Sequence, residues 1–342
     1  MTPPGKVRVG IAGLGRLGRH HAENLARRVP GAVLVGACSP VAEERAWARD
    51  ALGVERVHEG LDDLLGQPDV DAVFLVTPTA LHAAQVERAL AAGKHVFCEK
   101  PLALAVEDCR RVEAAAARRP DLVVLVGFVR RFDASYRAAR AHVDAGRIGT
   151  PFLVSSRTCD RNDPTGFFVR FAPTSGGIFL DCTIHDIDLA RWMLGGPRPL
   201  RAFATGTIAL HEGLRASGDV DNGVATLELE GGKLACFFAS RTMAHGHETS
   251  TEIVGTAGRL TVGQNPRLDR VELSDAAGVS NACTPTFYDR FEDAFLREAT
   301  EFVDAVRTGR PPPLTLRDAT EATRIAQALA EAQRTGRIVE LG

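Results

Sequence analysis

An acid and an imidazole four residues apart, Asp181 and His185, stand in a stretch that reads as one helix from Gly176 to Trp192. On such a helix the two side chains share a face. There a carboxylate can orient an imidazole and stabilise its protonated form while the ring exchanges a proton. The same spacing suits a plain surface pair, and Asp188 makes a metal site conceivable. Asp188 is poorly placed as a third ligand on that face and no further histidine falls at ligand spacing, so no metal is expected. Lys100 is a second candidate, set in Glu99-Lys100-Pro101 just after the apolar run His95–Cys98. A third set is Gly13, Gly15 and Gly18, spaced G-x-G-x-x-G after the run Val7–Ala12 and before a helical pattern. Strand, glycine turn and helix start are what a dinucleotide pyrophosphate requires. Gly13 permits the turn, Gly15 lets the backbone approach the phosphates, Gly18 lets helix and strand pack closely, and the first helical N–H groups face the anion.

The elements that must position these groups alternate. Apolar runs of strand length (Val7–Ala12, Ala32–Cys38, Val57–His58, Asp71–Val76, His95–Cys98 and Leu122–Gly127) are separated by helical patterns at Glu43–Leu52, Leu61–Leu65, Ala80–Ala92 and Val106–Arg118. Strand–helix alternation predicts a parallel, doubly wound sheet, and such sheets bind ligands at the carboxyl ends of their strands. The glycine loop, Thr77-Pro78 and Glu99-Lys100-Pro101 all fall there. At the end of the second strand, where an acid commonly holds the ribose hydroxyls, the chain reads Cys38-Ser39-Pro40. No acid stands there to repel a 2′-phosphate and no arginine follows directly to bind one, so NAD and NADP both remain open.

Taken together, Gly13-x-Gly15-x-x-Gly18, Thr77-Pro78 and Glu99-Lys100-Pro101 resemble the glucose-fructose oxidoreductase / inositol dehydrogenase / MocA (Gfo/Idh/MocA) family. The segment Gly127-Phe128-Val129-Arg130-Arg131-Phe132-Asp133 is similar to its inositol dehydrogenase branch. The resemblance spans essentially the whole chain and departs from the family at Ser39, where an Asp is usual. It implies an NAD(P)-dependent dehydrogenase acting on a secondary hydroxyl of a cyclitol or sugar, with a lean to NAD. It places Asp181 and His185 over the nicotinamide, facing Lys100, and leaves open which of Lys100 and His185 takes the proton. The implied cofactor-binding set is Gly13, Gly15, Arg16, Leu17, Gly18, Ser39, Thr77, Pro78, His82, Glu99, Lys100 and Phe128. The substrate-binding candidates are Lys100, Asp181 and His185, together with Arg130, with Asp160 on a polar loop from Arg157 to Gly166 that also reads as a solvated loop, and with Tyr288 at the start of its helix. Arg130-Arg131 reads equally well as a pair for Asp133, and His245-Gly246-His247 as a turn or subunit contact. Dehydrogenation of another sugar or a dihydrodiol, and a non-catalytic cofactor-binding regulator, are the competing readings. A regulator would be free to lose Lys100, Asp181 or His185, and all three are present.

The second half is β-rich. Phe152–Ser156, Phe203–Leu210, Asn222–Leu229, Leu234–Ser240, Glu248–Val254, Arg259–Val262 and Arg270–Leu273 read as strands of one open, mostly antiparallel sheet. Helices are expected from Phe132, from Tyr288 (apolar face Phe291, Phe295, Phe302 and Val306) and over Asp318–Gln333. The expected fold is α/β plus α+β: a Rossmann domain over residues 1–129, then a substrate-binding and oligomerisation domain over 130–342 whose last helices can pack back on the first. A homodimer or homotetramer through the C-terminal sheet is anticipated. The 342 residues carry a net charge of −2, which argues against nucleic acid as a partner. There is no apolar run of membrane-spanning length and no leader-like h-region. Seven scattered cysteines without a C-x-x-C point to a reducing cytoplasm rather than a disulfide framework.

Overall fold

The computed structural model describes residues 5–264 and 266–342. The N-terminal segment read above for a leader falls partly on Met1–Pro4, outside the described residues. The chain forms two compact units. One runs to Val129 and takes back Asp293–Glu321; the other comprises Arg130–Glu292 and Ala322–Gly342.

In the first unit, β1 (Val7–Ala12), α1 (Arg16–Arg27), β2 (Ala32–Cys38), α2 (Ala42–Leu52), β3 (Val57–His58), α3 (Leu61–Leu65), β4 (Ala72–Leu75), α4 (Thr79–Ala91), β5 (His95–Glu99), α5 (Val106–Ala117) and β6 (Val124–Gly127) follow in chain order. The strands are parallel and lie in the order β3-β2-β1-β4-β5-β6. That order reverses between β1 and β4, which makes their carboxyl ends the switch point where such sheets bind ligands. β4 is buried along its whole length, as a strand covered on both faces requires. Phe74 and Phe97, neighbours in the β4–β5 ladder, stack with centroids 4.4 Å apart, and Phe302 meets Phe74 edge-on at 5.3 Å.

The second unit begins with α6 (Ala134–Asp144), β7 (Pro151–Arg161), α7 (Phe167–Ser175), α8 (Ile178–Asp181) and α9 (Ile184–Leu194). It continues with β8 (Pro199–Thr207), β9 (Asn222–Leu229), β10 (Lys233–Met243), β11 (Glu248–Gly255), β12 (Gly258–Val262), β13 (Leu273–Asp275) and β14 (Gly278–Ser280). Two long helices, α10 (Phe287–Thr308) and α11 (Leu316–Thr335), each run from one unit into the other, and β15 (Val339–Glu340) closes the chain. The main sheet has the order β12-β11-β7-β10-β9-β8-β15. Only its central β7–β10 pair is parallel; the other pairings are antiparallel. Along β9, Gly223, Ala225, Leu227 and Leu229 are buried while Val224 and Thr226 are exposed. That is the period-two pattern of a sheet with one covered face.

Two expectations need correction. Arg270–Leu273 is not a strand of this sheet. The chain there is exposed, with Val271 at 68% and Leu273 at 57%, so it has no core face, and β13 pairs only with β14 in a small exposed ribbon. The helix expected from Gly176 to Trp192 is broken. The Thr183 amide reaches five residues back to the Ile178 carbonyl (3.1 Å), the turn widens, and a new helix starts at Ile184. Asp181 therefore ends one short helix and His185 lies in the first turn of the next.

Polar anchors fix α9. Arg131 grips Asp188 through two nitrogens at 2.8 and 2.6 Å. Asp186 receives Arg130 at 2.5 Å, and the Ser156 and Thr158 hydroxyls of β7 at 2.6 Å each. All four ion-pair partners are buried, so removing one would strand the other at a cost of about 3–5 kcal/mol. All seven cysteines are free. Among the described residues, no helix is long and apolar enough to cross a membrane.

Candidate active site

The glycine loop has the geometry its spacing predicts. Gly13 has φ +90°, and a Cβ there would lie 2.3 Å from the Val76 carbonyl oxygen. A Cβ on Gly18 would stand 2.1 Å from the Gly13 carbonyl oxygen, so only glycine lets α1 lie this close to the turn. Above Gly15 the space is open except for Glu44 Oε1 at 3.8 Å. Gly15 caps α1 without a side-chain bond and no acid stands in the first turn. The amides of Arg16, Leu17 and Gly18 thus keep the positive character of a helix start. These residues fit a dinucleotide pyrophosphate.

The other cofactor candidates divide into exposed or half-buried residues and buried ones. Pro78 is exposed and caps α4, and Thr77 donates its hydroxyl to Gln85 at 2.5 Å. His82 is buried, its two ring nitrogens each 2.8 Å from a main-chain carbonyl, of Thr77 and of Pro101. Burial pushes its pKa down. Glu99 is buried as well, spending one oxygen on His21 at 2.9 Å and the other on the Lys100 amide at 3.1 Å. Phe128 is 1% exposed. The polar atoms of His82 and Glu99 are taken up inside the unit, where they stitch together the loops that carry Thr77-Pro78 and Lys100. Lys100 itself is half-buried.

At the end of β2 the structure supplies what the sequence lacked. Ser39 is buried, and its hydroxyl donates to Glu44 Oε2 at 2.5 Å. An acid does stand beside the glycine loop, delivered by the first turn of α2 rather than by the strand end.

In the second unit a polar chain runs through the residues expected to handle substrate. Arg241 is fully buried on β10 and donates to Asp219 at 2.7 Å and to Asp181 at 3.2 Å. Asp219 also accepts the Ile178 amide at 2.9 Å, which ties the start of α8 to the same arginine. Burial opposes the charge on Arg241, but Cys182, Asp181 and Asp219 raise its pKa above the ordinary arginine value. Asp160 accepts from buried His247 at 2.9 Å, and the other ring nitrogen of His247 lies 2.6 Å from the Thr249 hydroxyl. Cys182 Sγ sits between the two acids, 3.7 Å from Asp160 Oδ2 and 3.7 Å from Asp181 Oδ2. Each acid is thus anchored from behind by a buried side chain while its own side chain stays partly open, 26% for Asp160 and 22% for Asp181.

His185 follows Ile184, which is buried with Ile187 and Leu189, and precedes the clamped Asp186, so α9 presents it from a fixed frame. Tyr288 is half-buried on the first turn of α10. Arg130, expected among the substrate-binding residues, is 3% exposed, and its guanidinium donates to Asp186 and to the Thr158 hydroxyl at 2.6 Å, as part of the clamp on α9. Asp133 caps α6 and pairs with Arg290. His247, expected in a turn or subunit contact, is an interior anchor.

The Gfo/Idh/MocA oxidoreductase model, described as an NAD-binding Rossmann fold, matches residues 7–128. The model of that family's C-terminal domain matches residues 136–261. The chain belongs to this family. The scyllo-inositol 2-dehydrogenase (NAD(+)) of Bacillus subtilis is 36% identical over 98% of this chain and 96% of its own length. The myo-inositol 2-dehydrogenase of Thermotoga maritima is 34% identical, covering 98% of each. The crystal structure of a Lactobacillus casei scyllo-inositol dehydrogenase, solved with NAD(H) and scyllo-inositol, superposes with a TM-score of 0.94 at 39% identity, over 98% of this chain and 99% of that one. Family membership accounts for the Rossmann strand order of the first unit and the open sheet of the second. The protein is accordingly an oxidoreductase of the Gfo/Idh/MocA family.

Proposed function

We propose that this protein oxidises a secondary hydroxyl of an inositol-type cyclitol and transfers the hydride to NAD. The observation that carries the substrate class is the pair of carboxylates on either side of Cys182, Asp160 and Asp181, each anchored from behind and partly open. Two fixed acceptors at this spacing suit a molecule that offers neighbouring hydroxyls around a ring. The inositol dehydrogenases among the relatives support the same class. Lys100, Asp181 and His185 are assigned to the reacting hydroxyl. His185 takes its proton, Asp181 orients the ring and the substrate, and the Lys100 ammonium donates to the oxygen as the carbonyl forms. When bound, the nicotinamide accepts the hydride from the same carbon. Glu44, with Ser39, is assigned to the adenosine ribose hydroxyls and sets the preference for NAD over NADP.

A rate panel tests this reading: absorbance of reduced nicotinamide with inositol isomers, aldoses and a dihydrodiol, each with NAD and NADP. The expected result is the highest kcat/KM for an inositol with NAD. A higher value for an aldose or dihydrodiol overturns the substrate class, and cofactor binding without turnover of any compound favours the regulator.

The exposed face of the main sheet is assigned to self-association. Phe203, Val224 and Leu234, exposed by 38%, 52% and 45%, share that face by strand register with Thr226, Phe238 and the exposed Arg201–Glu228 ion pair. Exposed large apolar side chains gathered on one face in this way suit an interface. Light scattering should give a dimer or tetramer mass, and a monomer at micromolar concentration would refute the assignment. The free cysteines fit a cytoplasmic setting.

A further inference from the structure

Beneath the Lys100 main chain, within the first unit, lies a buried cluster to which the proposed mechanism assigns no role. Glu99 at the end of β5 holds His21 of α1 with one oxygen, at 2.9 Å, and the Lys100 amide with the other, at 3.1 Å. The His21 ring is 1% exposed, with the rings of Phe74, Phe97 and Phe295 at 5.8, 5.4 and 5.6 Å. Glu298 of α10 is fully buried, and among the described residues neither of its carboxyl oxygens has a hydrogen-bond partner. One nitrogen or oxygen from each of His21, Glu99 and Glu298 lies within 4.8 Å of the others. Gly127 on β6 makes room, since a Cβ there would stand 3.2 Å from the Glu99 carboxyl carbon.

We propose that His21, Glu99 and Glu298 form a positioning network that fixes the main chain of Lys100, with Glu298 as its protonated acid and Glu99 as the acceptor. This rests on the reading of Lys100 as catalytic. Two carboxyl groups this close in a box of phenylalanine rings cannot both carry charge. Burial pushes the Glu298 carboxyl well above the usual range, and the nearby Glu99 adds to the shift. A proton on Glu298 leaves both Glu99 oxygens to accept, from α1 on one side and from the lysine amide on the other. The same three side chains are a possible metal-ligand set. Among the described residues no fourth His, Cys, Asp or Glu joins the group, and a tetrahedral structural site takes four ligands, which favours a proton over an ion.

The network makes pH-dependent predictions. A carboxyl whose pKa is raised in the folded state contributes stability that is complete below its unfolded pKa and is lost as pH rises through the folded one. Loss of the Glu298 proton also sets two anions against each other beside the lysine amide. Glu298→Gln, an isostere of the neutral acid, should therefore flatten the fall of Tm with rising pH. It should also move the alkaline limb of the kcat–pH profile upward by about one pH unit or more. Glu99→Gln keeps one oxygen for the Lys100 amide but turns an NH₂ toward His21 Nε2, so the ring must change tautomer to accept there; it should lower kcat about tenfold while KM for the cyclitol changes less than about twofold. An alkaline limb and a Tm slope unchanged in Glu298→Gln overturn the proposal, whether or not Glu99→Gln folds. Stoichiometric metal in the purified protein, by elemental analysis, also overturns it. Kinetics of Lys100→Met separate the two readings. If that variant loses turnover while Glu99→Gln and Glu298→Gln match the wild type, only the network fails. If it keeps turnover, the assignment of Lys100 fails and the network has nothing catalytic to position.

Discussion

Lys100→Met should lower kcat by about a thousandfold or more while the dissociation constant for NADH changes less than about threefold. Methionine nearly matches the stem of lysine in length and apolar character, so the loop keeps its packing. On the proposed mechanism, what is lost is the ammonium that donates to the reacting oxygen. One donor to a developing oxyanion is typically worth about 10²–10³ in rate, and a disturbed proton transfer about 10²–10⁴; a thousandfold loss corresponds to about 4 kcal/mol of barrier. Cofactor affinity should survive because the proposed pyrophosphate site is the backbone at Gly13, Gly15 and Gly18 and the start of α1, which the substitution does not touch. The lysine amide is held by Glu99 through the main chain, which the substitution leaves in place. Steady-state kinetics with a cyclitol, alongside fluorescence titration with NADH, would check both halves. Turnover within about tenfold of the wild type would remove Lys100 from the chemistry.

How much of this could be read beforehand differs from element to element, for physical reasons. The first unit was legible because its strands are buried on both faces and read as continuous apolar runs, and because each glycine of the loop has its own steric duty. The break between α8 and α9 was not legible. Cys182 and Thr183 keep right-handed helical dihedrals, so residue type gives no warning, and the change lies only in which carbonyl an amide reaches. The buried charges were missed because the groups they lie against are far away in sequence, Asp181 for Arg241 and Glu99 for Glu298. Both nevertheless left a signal. Arg241 continues the inward register of Ala235, Phe237 and Ala239 along β10, where an arginine is costly unless paired. Glu298 falls between Phe295 and Phe302 on the apolar face of α10, where an acid demands the same explanation. In each case a charge at a core position of a periodic pattern marks a site more sharply than the exposed candidates did.

Glu44→Gln should shift the ratio of dissociation constants, NADPH over NADH, by about tenfold to a hundredfold toward NADPH. The reason begins at Ser39. Its residue type removes the usual acid from the end of β2, and on that ground alone either cofactor was acceptable. The fold restores an acid from five residues further on: Glu44 Oε2 accepts the Ser39 hydroxyl at 2.5 Å, and Oε1 lies 3.8 Å from where a Gly15 Cβ would be. The carboxylate therefore flanks the phosphate cradle where the adjoining ribose must lie. Its charge opposes a 2′-phosphate. Two unit charges about 4 Å apart interact by about 4 kcal/mol at an effective dielectric of about 20, and the half-exposed position of Glu44 reduces this to about 1–3 kcal/mol, the range given above. The amide keeps the shape and a hydrogen bond to Ser39 but drops the charge, so NADPH should gain most while NADH loses a few-fold. The same geometry argues against the obvious alternative. An aspartate installed at Ser39 would face Glu44 directly and repel it, so it would add little preference for NAD over what Glu44 already provides. Titration of the Glu44→Gln protein with each reduced cofactor decides the matter without any turnover, and an unchanged ratio would show that the ribose is read elsewhere.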